Sequence, residues 1–450
     1  MYVKSVTLEG IKKFKNLEFD FKRPDGGYAG WTVFLGGNAS GKSTILKSIA
    51  LALAGPDAGR LLLGSPTDWV GWIRKDERSA EARAILSWDQ SFDHFKGGGA
   101  PPGRSFEAGI RLSLGHKKAS DNESWPNEAI PTLREVEKRS PKGTRILTAQ
   151  RGPWESNAAG WFSAGYGPMR RLTGSSTESV RFSLERGFVS RFVTLFREDA
   201  ALSESETWLK TNHARWLENK KPEIQMLLDG VKALLNDDLL PRGLKISEIK
   251  VDHVFVRDPQ GLELPMRDIS DGCRSVYATI LDLVHGMYTV YGIDDLFEID
   301  ADGKPIVNKP GVVLIDEIEA HIHPSWQREI PEWLKRHFPL VQFFVTTHSP
   351  LVAQAADLNG AFLLPSPADL QSEPRMLDTT ETERLRLGRA EKALLGVAFG
   401  LKESRSQWAL TQIHKWQELN AKSKANVQLN AEEEQELQEL GAQMPLAFEQ

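Results

Sequence analysis

One eight-residue segment constrains the fold of this chain more than any other feature. Residues 36–43 read Gly-Gly-Asn-Ala-Ser-Gly-Lys-Ser and match the pattern G-x-x-x-x-G-K-[S/T] without a mismatch. An apolar run of strand length precedes the segment, and a helical pattern follows it from Lys42 to Ala54. A glycine-rich turn between a strand and a helix lets successive backbone N–H groups point at one anion. The segment therefore predicts a phosphate-binding loop in an α/β protein.

The chemistry of this loop assigns a role to its side chains. Lys42 is expected to reach the outer phosphates of a nucleotide, and the Ser43 hydroxyl is expected to ligate Mg²⁺. The sequence thus predicts ATP as the ligand and Mg²⁺ as the metal. A chance match in a Gly/Ser loop is the alternative, and the flanking strand and helix argue against it. The other residues predicted to contact the nucleotide are Gly36, Asn38, Ala39, Ser40, Gly41 and Thr44.

A second motif places two carboxylates after an apolar run. Residues 312–315 are Val-Val-Leu-Ile, and Asp316 and Glu317 follow them, as in a Walker B element. We expect a buried strand, with Asp316 holding Mg²⁺ and Glu317 polarising the attacking water. The alternative is an acidic corner between a strand and a helix, in which Glu317 is a helix cap.

Two further segments contain candidate groups for the same site. Residues 269–275 resemble the L-S-x-G signature of ABC-type ATPases, whose Ser and Gly cap the γ-phosphate bound by the opposite subunit; here these are Ser270 and Gly272. An ordinary serine N-cap is the alternative. A predicted strand over 341–346 leads to His348, which resembles the switch histidine of that family, although a core histidine would give the same pattern.

Taken together, these segments resemble the ABC-type ATPase heads of RecF, SMC-like repair proteins and OLD nucleases. Residues 8–14 are similar to the opening segment of that group, in which a basic residue approaches the nucleotide; Lys13 is the candidate here, with Lys12 as the alternative. Residues 165–171 and 319–324 resemble segments of bacterial defence ATPases. For Arg170 and Arg171, phosphate binding and surface ion pairs are equally open.

The resemblance implies an ABC-type P-loop ATPase head with a mixed sheet in two lobes. The predicted divisions are an N-terminal lobe (1–179), a helical insertion (180–243), a C-terminal lobe with the signature, Walker B and switch histidine (244–370), and a helical tail, a possible interaction element (371–450). No Gln occurs between Ser65 and Arg78, where the family has its Q-loop, so Asp76 and Gln90 stay open as substitutes.

The segment after His348 bears on the kind of partner. OLD and Gabija-type ATPases carry a C-terminal TOPRIM nuclease, whose metal site needs a D-x-D, and residues 349–450 contain none. The chain is therefore expected to lack a nuclease of its own. It resembles the ATPase subunits of two-gene phage-defence systems, PARIS (AriA) as first choice and Septu (PtuA) as second. That resemblance implies a separate effector, a TOPRIM-like or HNH nuclease, and a phage-encoded trigger.

The amino-acid composition argues against several other classes of protein. The net charge of −5 over 450 residues disfavours a basic nucleic-acid-binding chain, and the single cysteine, Cys273, excludes a cysteine-based zinc site. No apolar run reaches the roughly 18 residues of a membrane span, and the N-terminus lacks a signal-peptide pattern, so we expect a soluble cytoplasmic protein without a membrane partner.

The predicted function is an ATP-gated switch. ATP would join at least two copies head to head, and hydrolysis or a trigger would release them. One alternative is a RecF-like repair protein or DNA-dependent ATPase, so DNA binding stays open. Another alternative is a metal-dependent nuclease with Glu317, His321, His323 and His348 as ligands.

Overall fold

The computed structural model places most of the chain. The described residues are 1–97, 103–115, 130–138, 143, 146–155, 158–172, 187–366, 369, 372–396, 398–399, 403, 405–425 and 427–448. Within them, none of the helices combines the length and apolar character that crossing a membrane requires.

The strands are β1 (Tyr2–Ile11), β2 (Phe14–Asp20), β3 (Gly30–Leu35), β4 (Ser79–Ser87), β5 (Ser105–Gly115), β6 (Ile130–Glu135), β7 (Ser163–Tyr166), β8 (Lys245–Ile249), β9 (Val254–Arg257), β10 (Glu263–Pro265), β11 (Glu298–Ile299), β12 (Pro305–Ile306), β13 (Gly311–Ile315), β14 (Val341–Thr346), β15 (Ala361–Leu363) and β16 (Arg375–Met376).

The helices are α1 (Lys42–Leu62), α2 (Pro66–Val70), α3 (Thr148–Arg151), α4 (Gly187–Phe196), α5 (Ser203–Asn219), α6 (Pro222–Asn236), α7 (Asp271–Tyr291), α8 (Pro324–His337), α9 (Pro350–Ala353), α10 (Thr379–Leu387), α11 (Ala390–Leu395), α12 (Gln407–Lys424) and α13 (Ala431–Phe448).

A largely parallel sheet positions the predicted site. Its order in the described residues is β16-β15-β3-β14-β13-β7, with only β16 antiparallel to its neighbour. The side chains of β13 and β14 are buried along their whole length, which explains why their sequences are continuous apolar runs. Because β3, β14 and β13 are adjacent and parallel, the loops that follow their carboxyl ends meet at one edge of the sheet.

A second sheet is antiparallel and forms the other lobe. Its order is β2-β1-β4-β5-β6, in which β1 pairs with β2, as the alternating pattern of residues 2–8 and 17–23 predicts, and also with β4. Helix α1 contacts strands of both sheets, and one continuous apolar core joins them. The predicted fold class, an α/β ABC-type head with a mixed sheet in two lobes, is confirmed by this topology.

Helix α1 keeps the predicted start and has an irregular middle. It begins at Lys42, and Gly55, at φ 78°, interrupts it before Pro56, where the sequence predicts its end. A Cβ at Gly55 would lie 2.6 Å from the ring of Trp154, so this position also favours glycine. The chain then resumes the helix to Leu62, which is longer than the predicted end at Ala54.

The sequence pattern predicts three helices in the helical insertion, over 188–197, 203–219 and 222–236, and the structure has α4, α5 and α6 at nearly these positions. Other expectations are wrong in detail. The region 115–145, expected to be mostly loop, contains strand β6, which extends the antiparallel sheet beside β5. The single strand predicted over 246–256 is two strands, β8 and β9. Residues 375–376, predicted to belong to the helical tail, form β16 at the edge of the parallel sheet.

The chain divides into two compact units, Met1–Ala390 and Glu391–Gln450. In the second unit, helices α12 and α13 contact each other through Ile413, Leu440 and Trp416. Asn430 caps α13: its side chain accepts a 2.8 Å hydrogen bond from the Glu433 N–H, and the Glu433 carboxylate accepts one of 3.0 Å from the Asn430 N–H. This capping box is the one the sequence predicts.

Candidate functional site

The loop after β3 has the backbone that a phosphate cradle requires. Gly36, Ala39 and Gly41 have φ values of 149°, 59° and 93°. A Cβ at Gly36 would lie 2.7 Å from the Ser40 hydroxyl and 2.8 Å from the carbonyl oxygen of Leu364. One at Gly41 would lie 2.6 Å from the ring of Phe14. These two positions therefore accept only glycine without rearrangement.

Lys42 is held across this loop. Its Nζ donates hydrogen bonds of 2.8 Å to the Gly36 carbonyl and 3.1 Å to the Gly37 carbonyl, and the residue is only 6% exposed. Burial lowers the pKa of Lys42, and the carboxylates of Asp316 and Glu317 oppose that effect. The ammonium group therefore stands in the electrostatic field of the Asp316 and Glu317 carboxylates.

The residues of the loop fit a phosphate group. The Ser40 hydroxyl is fully buried and has no hydrogen-bond partner among the described residues, which leaves a donor for a ligand. Lys13 lies beside the loop, with its Cε 3.1 Å from the position of a Cβ at Gly41. Lys12 instead stands over the ring of Trp72 at 4.5 Å. The geometry therefore favours Lys13, of the two candidates, as a contact of the nucleotide. The remaining predicted contacts, Asn38, Ser43 and Thr44, lie in the loop or in the first turn of α1.

Asp316 and Glu317 share one hydroxyl partner. Thr346, at the end of β14, donates a 2.5 Å hydrogen bond to Oδ1 of Asp316 and accepts one of 2.8 Å from the Glu317 N–H. Glu317 has a positive φ of 45°, so the chain turns sharply at this residue. The cap of α8 is His323, whose ring accepts from the Ser325 N–H at 3.3 Å. The alternative in which Glu317 caps this helix is therefore wrong.

Arg170 fixes the loop that carries these carboxylates. Its guanidinium donates to four backbone carbonyls, those of Gly167 (2.9 Å), Asp316 (2.9 Å), Glu317 (3.2 Å) and Ile318 (3.1 Å). Burial lowers the pKa of Arg170 to about 10, against the opposing effect of nearby carboxylates. Neither role left open by the sequence, phosphate binding or a surface ion pair, describes this residue.

Glu319 organises the turn that presents His348. Its carboxylate accepts a 2.7 Å hydrogen bond from the Thr347 hydroxyl and another from the His348 N–H. The His348 side chain is exposed at the edge of the sheet, so the alternative of a core histidine is wrong. Sequence reasoning assigned no role to Thr346 or Thr347; the signal was the pair of threonines between the apolar strand and the histidine.

The signature segment lies against the turn after Glu317. Ser270 is the N-cap residue of α7, as the alternative reading has it, but it is exposed and its side chain makes no capping hydrogen bond. A Cβ at Gly272 would clash with the carbonyl oxygen of His321, which itself has a φ of 66°. The start of α7 and the loop after β13 therefore touch within one chain, which places Ser270 at the surface beside this contact.

The remaining candidates have structural environments of their own. Asp76 is paired with Arg74 at 2.6 Å, and Gln90 is exposed after β4, so the Q-loop assignment stays open. The described part of the chain contains no group of three or more His, Cys, Asp or Glu side chains arranged to hold a metal ion, and His323 is accounted for as a helix cap.

The fold and this arrangement of loops define an ABC-type P-loop ATPase head. The chain belongs to the family described as "AAA domain, putative AbiEii toxin, Type IV TA system", whose model matches residues 109–353. A second model, described as "AAA domain", matches residues 5–72.

Three curated relatives have the names of Septu and retron proteins. The Septu protein PtuA of Bacillus mycoides (strain KBAB4) is 23% identical over 78% of this chain and 38% of its own length. The Retron Ec83 probable ATPase of Escherichia coli is 33% identical over 27% of this chain and 20% of its own length. The Septu protein PtuA of Bacillus thuringiensis is 28% identical over 39% of this chain and 43% of its own length. The chain thus spans less than half the length of these relatives. They support the Septu-type resemblance, the second choice from the sequence, and do not support the PARIS-type subunit in particular.

Solved structures with a similar course of the chain are SMC heads. One is the SmcHead bound to the C-winged helix domain of ScpA, with a TM-score of 0.46 and 16% identity over 85% of this chain and 99% of that one. Another is the SMC head domain from Thermotoga maritima, with a TM-score of 0.42 and 14% identity over 84% of this chain and 100% of that one. Both TM-scores are low, and the strand order carries the fold assignment without them.

Proposed function

We propose that this chain binds and hydrolyses ATP and uses the nucleotide to switch between separate and joined states. The observation that carries the proposal is the position of the Lys42 ammonium. It spans a loop shaped for phosphate and stands in the field of Asp316, Glu317 and Glu319. A cation on one side and carboxylates on the other are what Mg²⁺-dependent phosphoryl transfer needs.

Each residue of the site has one task in this proposal. Lys42 and the backbone N–H groups of the loop hold the phosphates, and Lys13 adds a positive charge beside them. Ser43 and Asp316 would hold Mg²⁺, which offsets the negative charge of the phosphates when it is bound. Glu317 orients and polarises the attacking water, and His348 faces the γ-phosphate. Thr346 and Arg170 keep the two carboxylates in place.

A second copy of the chain would complete the site. Ser270 is exposed at the start of α7, and its hydroxyl makes no capping hydrogen bond, so this group is available for a phosphate on another copy. The backbone contact between Gly272 and His321 would couple this surface to the loop of Glu317. ATP would therefore join at least two heads, and hydrolysis would separate them.

The names of the relatives suggest the biological setting. We assign the chain to bacterial anti-phage defence, where it would control a separate effector, a TOPRIM-like or HNH nuclease, and respond to a phage-encoded trigger. The tail helices α12 and α13 are candidates for the effector contact. The negative net charge fits a protein partner better than a nucleic acid, although a local basic surface is compatible with it.

Two variants test the switch. Lys42→Ala should abolish ATP binding, and Glu317→Gln should bind ATP, hydrolyse it at least about 100-fold more slowly and accumulate as a joined species in light scattering. The exposed residues Lys424 and Glu329 provide matched controls, as Lys424→Ala and Glu329→Gln, which should behave as the unaltered chain. Retained ATP affinity in Lys42→Ala would refute the site, and an unchanged size of Glu317→Gln with ATP would refute the switch.

The DNA-dependent alternative has its own signature. Hydrolysis that rises on addition of duplex DNA, together with DNA binding that weakens steeply with salt, would favour a RecF-like role instead.

In a phage challenge of cells that carry the complete defence operon, Lys42→Ala should remove protection. Protection that survives this substitution would contradict the proposed role of the nucleotide in defence.

A further inference from the structure

A cavity of about 530 Å³ lies beside the start of α7, outside the predicted ATP site. Its walls come from residues 170–172, from helix α5 of the helical insertion, from the segments 252–254 and 265–267 around β9 and β10, and from His321 in the loop after β13. Helix α7 contributes the face that carries Asp271, Arg274 and Ser275. Neither Ser270 nor Gly272 of the signature lines it, and neither does Lys42.

The lining is positively charged although the chain is acidic overall. Five Arg or Lys side chains and three carboxylates line the cavity, in a protein of net charge −5. Most of these cations are occupied: Arg274 is paired with Asp271, Lys210 with Glu206 at 3.3 Å, and Arg170 with backbone carbonyls. An unneutralised positive charge remains for an anion.

Arg171 supplies that charge. Within the described residues its guanidinium donates a hydrogen bond to the Met169 sulfur at 3.7 Å and makes no ion pair. It is exposed, whereas its neighbour Arg170 is buried. After Arg274, the charge of Arg171 also helps to lower the pKa of Asp271, but the Arg171 donors make no hydrogen bond to that carboxylate and can bind a phosphate.

A second polar group of the cavity has no partner. Ser275 is only 3% exposed, and its hydroxyl makes no hydrogen bond in the described part of the chain. Buried hydroxyl groups are almost always hydrogen-bonded, because an unsatisfied one costs about 1–3 kcal/mol. Since Ser275 lines the cavity, a ligand in it could supply the missing partner.

The wall also has an apolar part, and the two histidines His253 and His321 complete it. Leu172, Val254, Pro265 and Met266 line it, and Met266 is 1% exposed. Pockets that hold small molecules combine such apolar walls with a few placed polar groups and have volumes of roughly 300–1,000 Å³. The cavity therefore has room and contacts for an apolar or aromatic body joined to an anion.

We propose that this cavity binds a nucleoside monophosphate, or a phosphorylated small molecule of the same class, with its phosphate on Arg171 and Ser275. Such a ligand would lie against Arg170, which holds the carbonyls of Asp316 and Glu317. The cavity is thereby connected to the loop of the predicted catalytic carboxylate. Binding of a ligand in the cavity would therefore alter ATP hydrolysis through the Arg170 side chain.

The test uses the full chain carrying Lys42→Ala, so that the P-loop does not compete, and titrates AMP and, separately, inorganic pyrophosphate by calorimetry. We expect saturable AMP binding with a Kd below about 1 mM. Arg171→Gln and Ser275→Ala, each added to Lys42→Ala, should weaken it at least tenfold, whereas the exposed Arg328→Gln should not. Thermal melting checks that each variant is folded.

Three results would overturn the proposal. In the first, AMP does not bind saturably. In the second, AMP binds but both cavity substitutions leave its affinity unchanged. In the third, pyrophosphate binds and AMP does not. Binding of AMP to the unaltered chain that Lys42→Ala removes would also overturn it, because the ligand would then occupy the P-loop. The experiment does not depend on ATP hydrolysis, so its failure and the failure of the proposed ATPase are distinguishable.

Discussion

The Thr346 hydroxyl connects the two carboxylate residues that follow β13: it donates a 2.5 Å hydrogen bond to Asp316 and accepts one of 2.8 Å from the Glu317 N–H. One side chain on β14 thereby sets both the direction of a buried carboxylate and the turn of the next residue. Because β14 lies between β13 and the strand of the P-loop, Thr346 links the two halves of the candidate site.

Removal of this hydroxyl should reduce hydrolysis more than folding. Thr346→Val keeps the shape of the side chain but leaves the Asp316 carboxylate and the Glu317 N–H without their partner. We expect ATP turnover to fall by about 10- to 100-fold and the free energy of unfolding to fall by about 1–3 kcal/mol. Steady-state phosphate release and urea denaturation measure the two effects. Thr346→Ser restores the hydroxyl and should recover most of the turnover; equal losses in both variants would contradict this role.

The buried guanidinium of Arg170 should be important for stability. Arg170→Met keeps the length of the side chain and removes the guanidinium donor from four carbonyl groups, of which that of Glu317 still accepts from the Ala320 N–H at 2.9 Å. We expect the free energy of unfolding to fall by at least about 2 kcal/mol. The neighbouring Arg171→Met removes an exposed charge and should change unfolding by less than about 0.5 kcal/mol. Similar unfolding curves for the two variants would show that the carbonyl contacts contribute little.

A methyl group at Gly272 should separate α7 from the turn at His321. The added Cβ meets the His321 carbonyl, a backbone atom that cannot rotate away, so Gly272→Ala must shift the helix or the turn. We expect a loss of about 1–3 kcal/mol in unfolding free energy and weaker ATP-dependent association in light scattering. Gly103→Ala is the control, since a Cβ there has no atom within 4 Å. Unchanged melting of Gly272→Ala would mean that the contact adapts without cost.

A buried carboxyl group near β7 should make stability depend on pH. Burial raises the pKa of Asp282 to about 7; Glu204 adds to this rise, while the 3.0 Å hydrogen bond from Tyr166 and the charge of Arg191 oppose it. The pKa is higher in the folded chain than its ordinary value of 3.8 in the unfolded one. Between these two pH values the folded chain keeps a proton that the unfolded chain has lost, so stability falls as pH rises toward 7 and is level above it.

Asp282→Asn should remove this dependence, because an amide stays neutral throughout. Relative to the unaltered chain, the variant should gain at most about 3 kcal/mol in unfolding free energy between pH 5 and pH 8. Urea denaturation at the two pH values measures the change, with the exposed Asp294→Asn as the matched control. A pH profile identical to that of the unaltered chain would place the pKa of Asp282 outside this interval.

Elements with strong local patterns were predicted well. Helix α8 has the limits that the sequence pattern predicts, near 324–337, and β3, β13 and β14 lie where the apolar runs are. Such patterns depend on neighbouring residues and on the period of side-chain burial, which a single sequence records directly. Strand β16 was missed because it is two residues long and exposed, and only its pairing with β15 makes it a strand.

The different environments of Arg170 and Arg171 could not be predicted from the sequence. In the sequence they are adjacent and equivalent, and the structure buries one on backbone carbonyls and leaves the other at a cavity. The partners of Arg170 lie almost 150 residues away along the chain at Asp316 and Glu317. Which of two like residues meets them depends on the packing of β7 against β13, and no local pattern contains that information.

By itself, the sequence determined the phosphate-binding loop, the buried strand with its two carboxylates and the α/β class, because glycine placement and apolar periodicity act over a few residues. Tertiary structure alone decided that Thr346 joins Asp316 to Glu317, that Gly272 touches His321 and that Arg171 faces a cavity. These contacts form between segments far apart in the chain. They exist only after the parallel sheet has brought the ends of its strands to one edge.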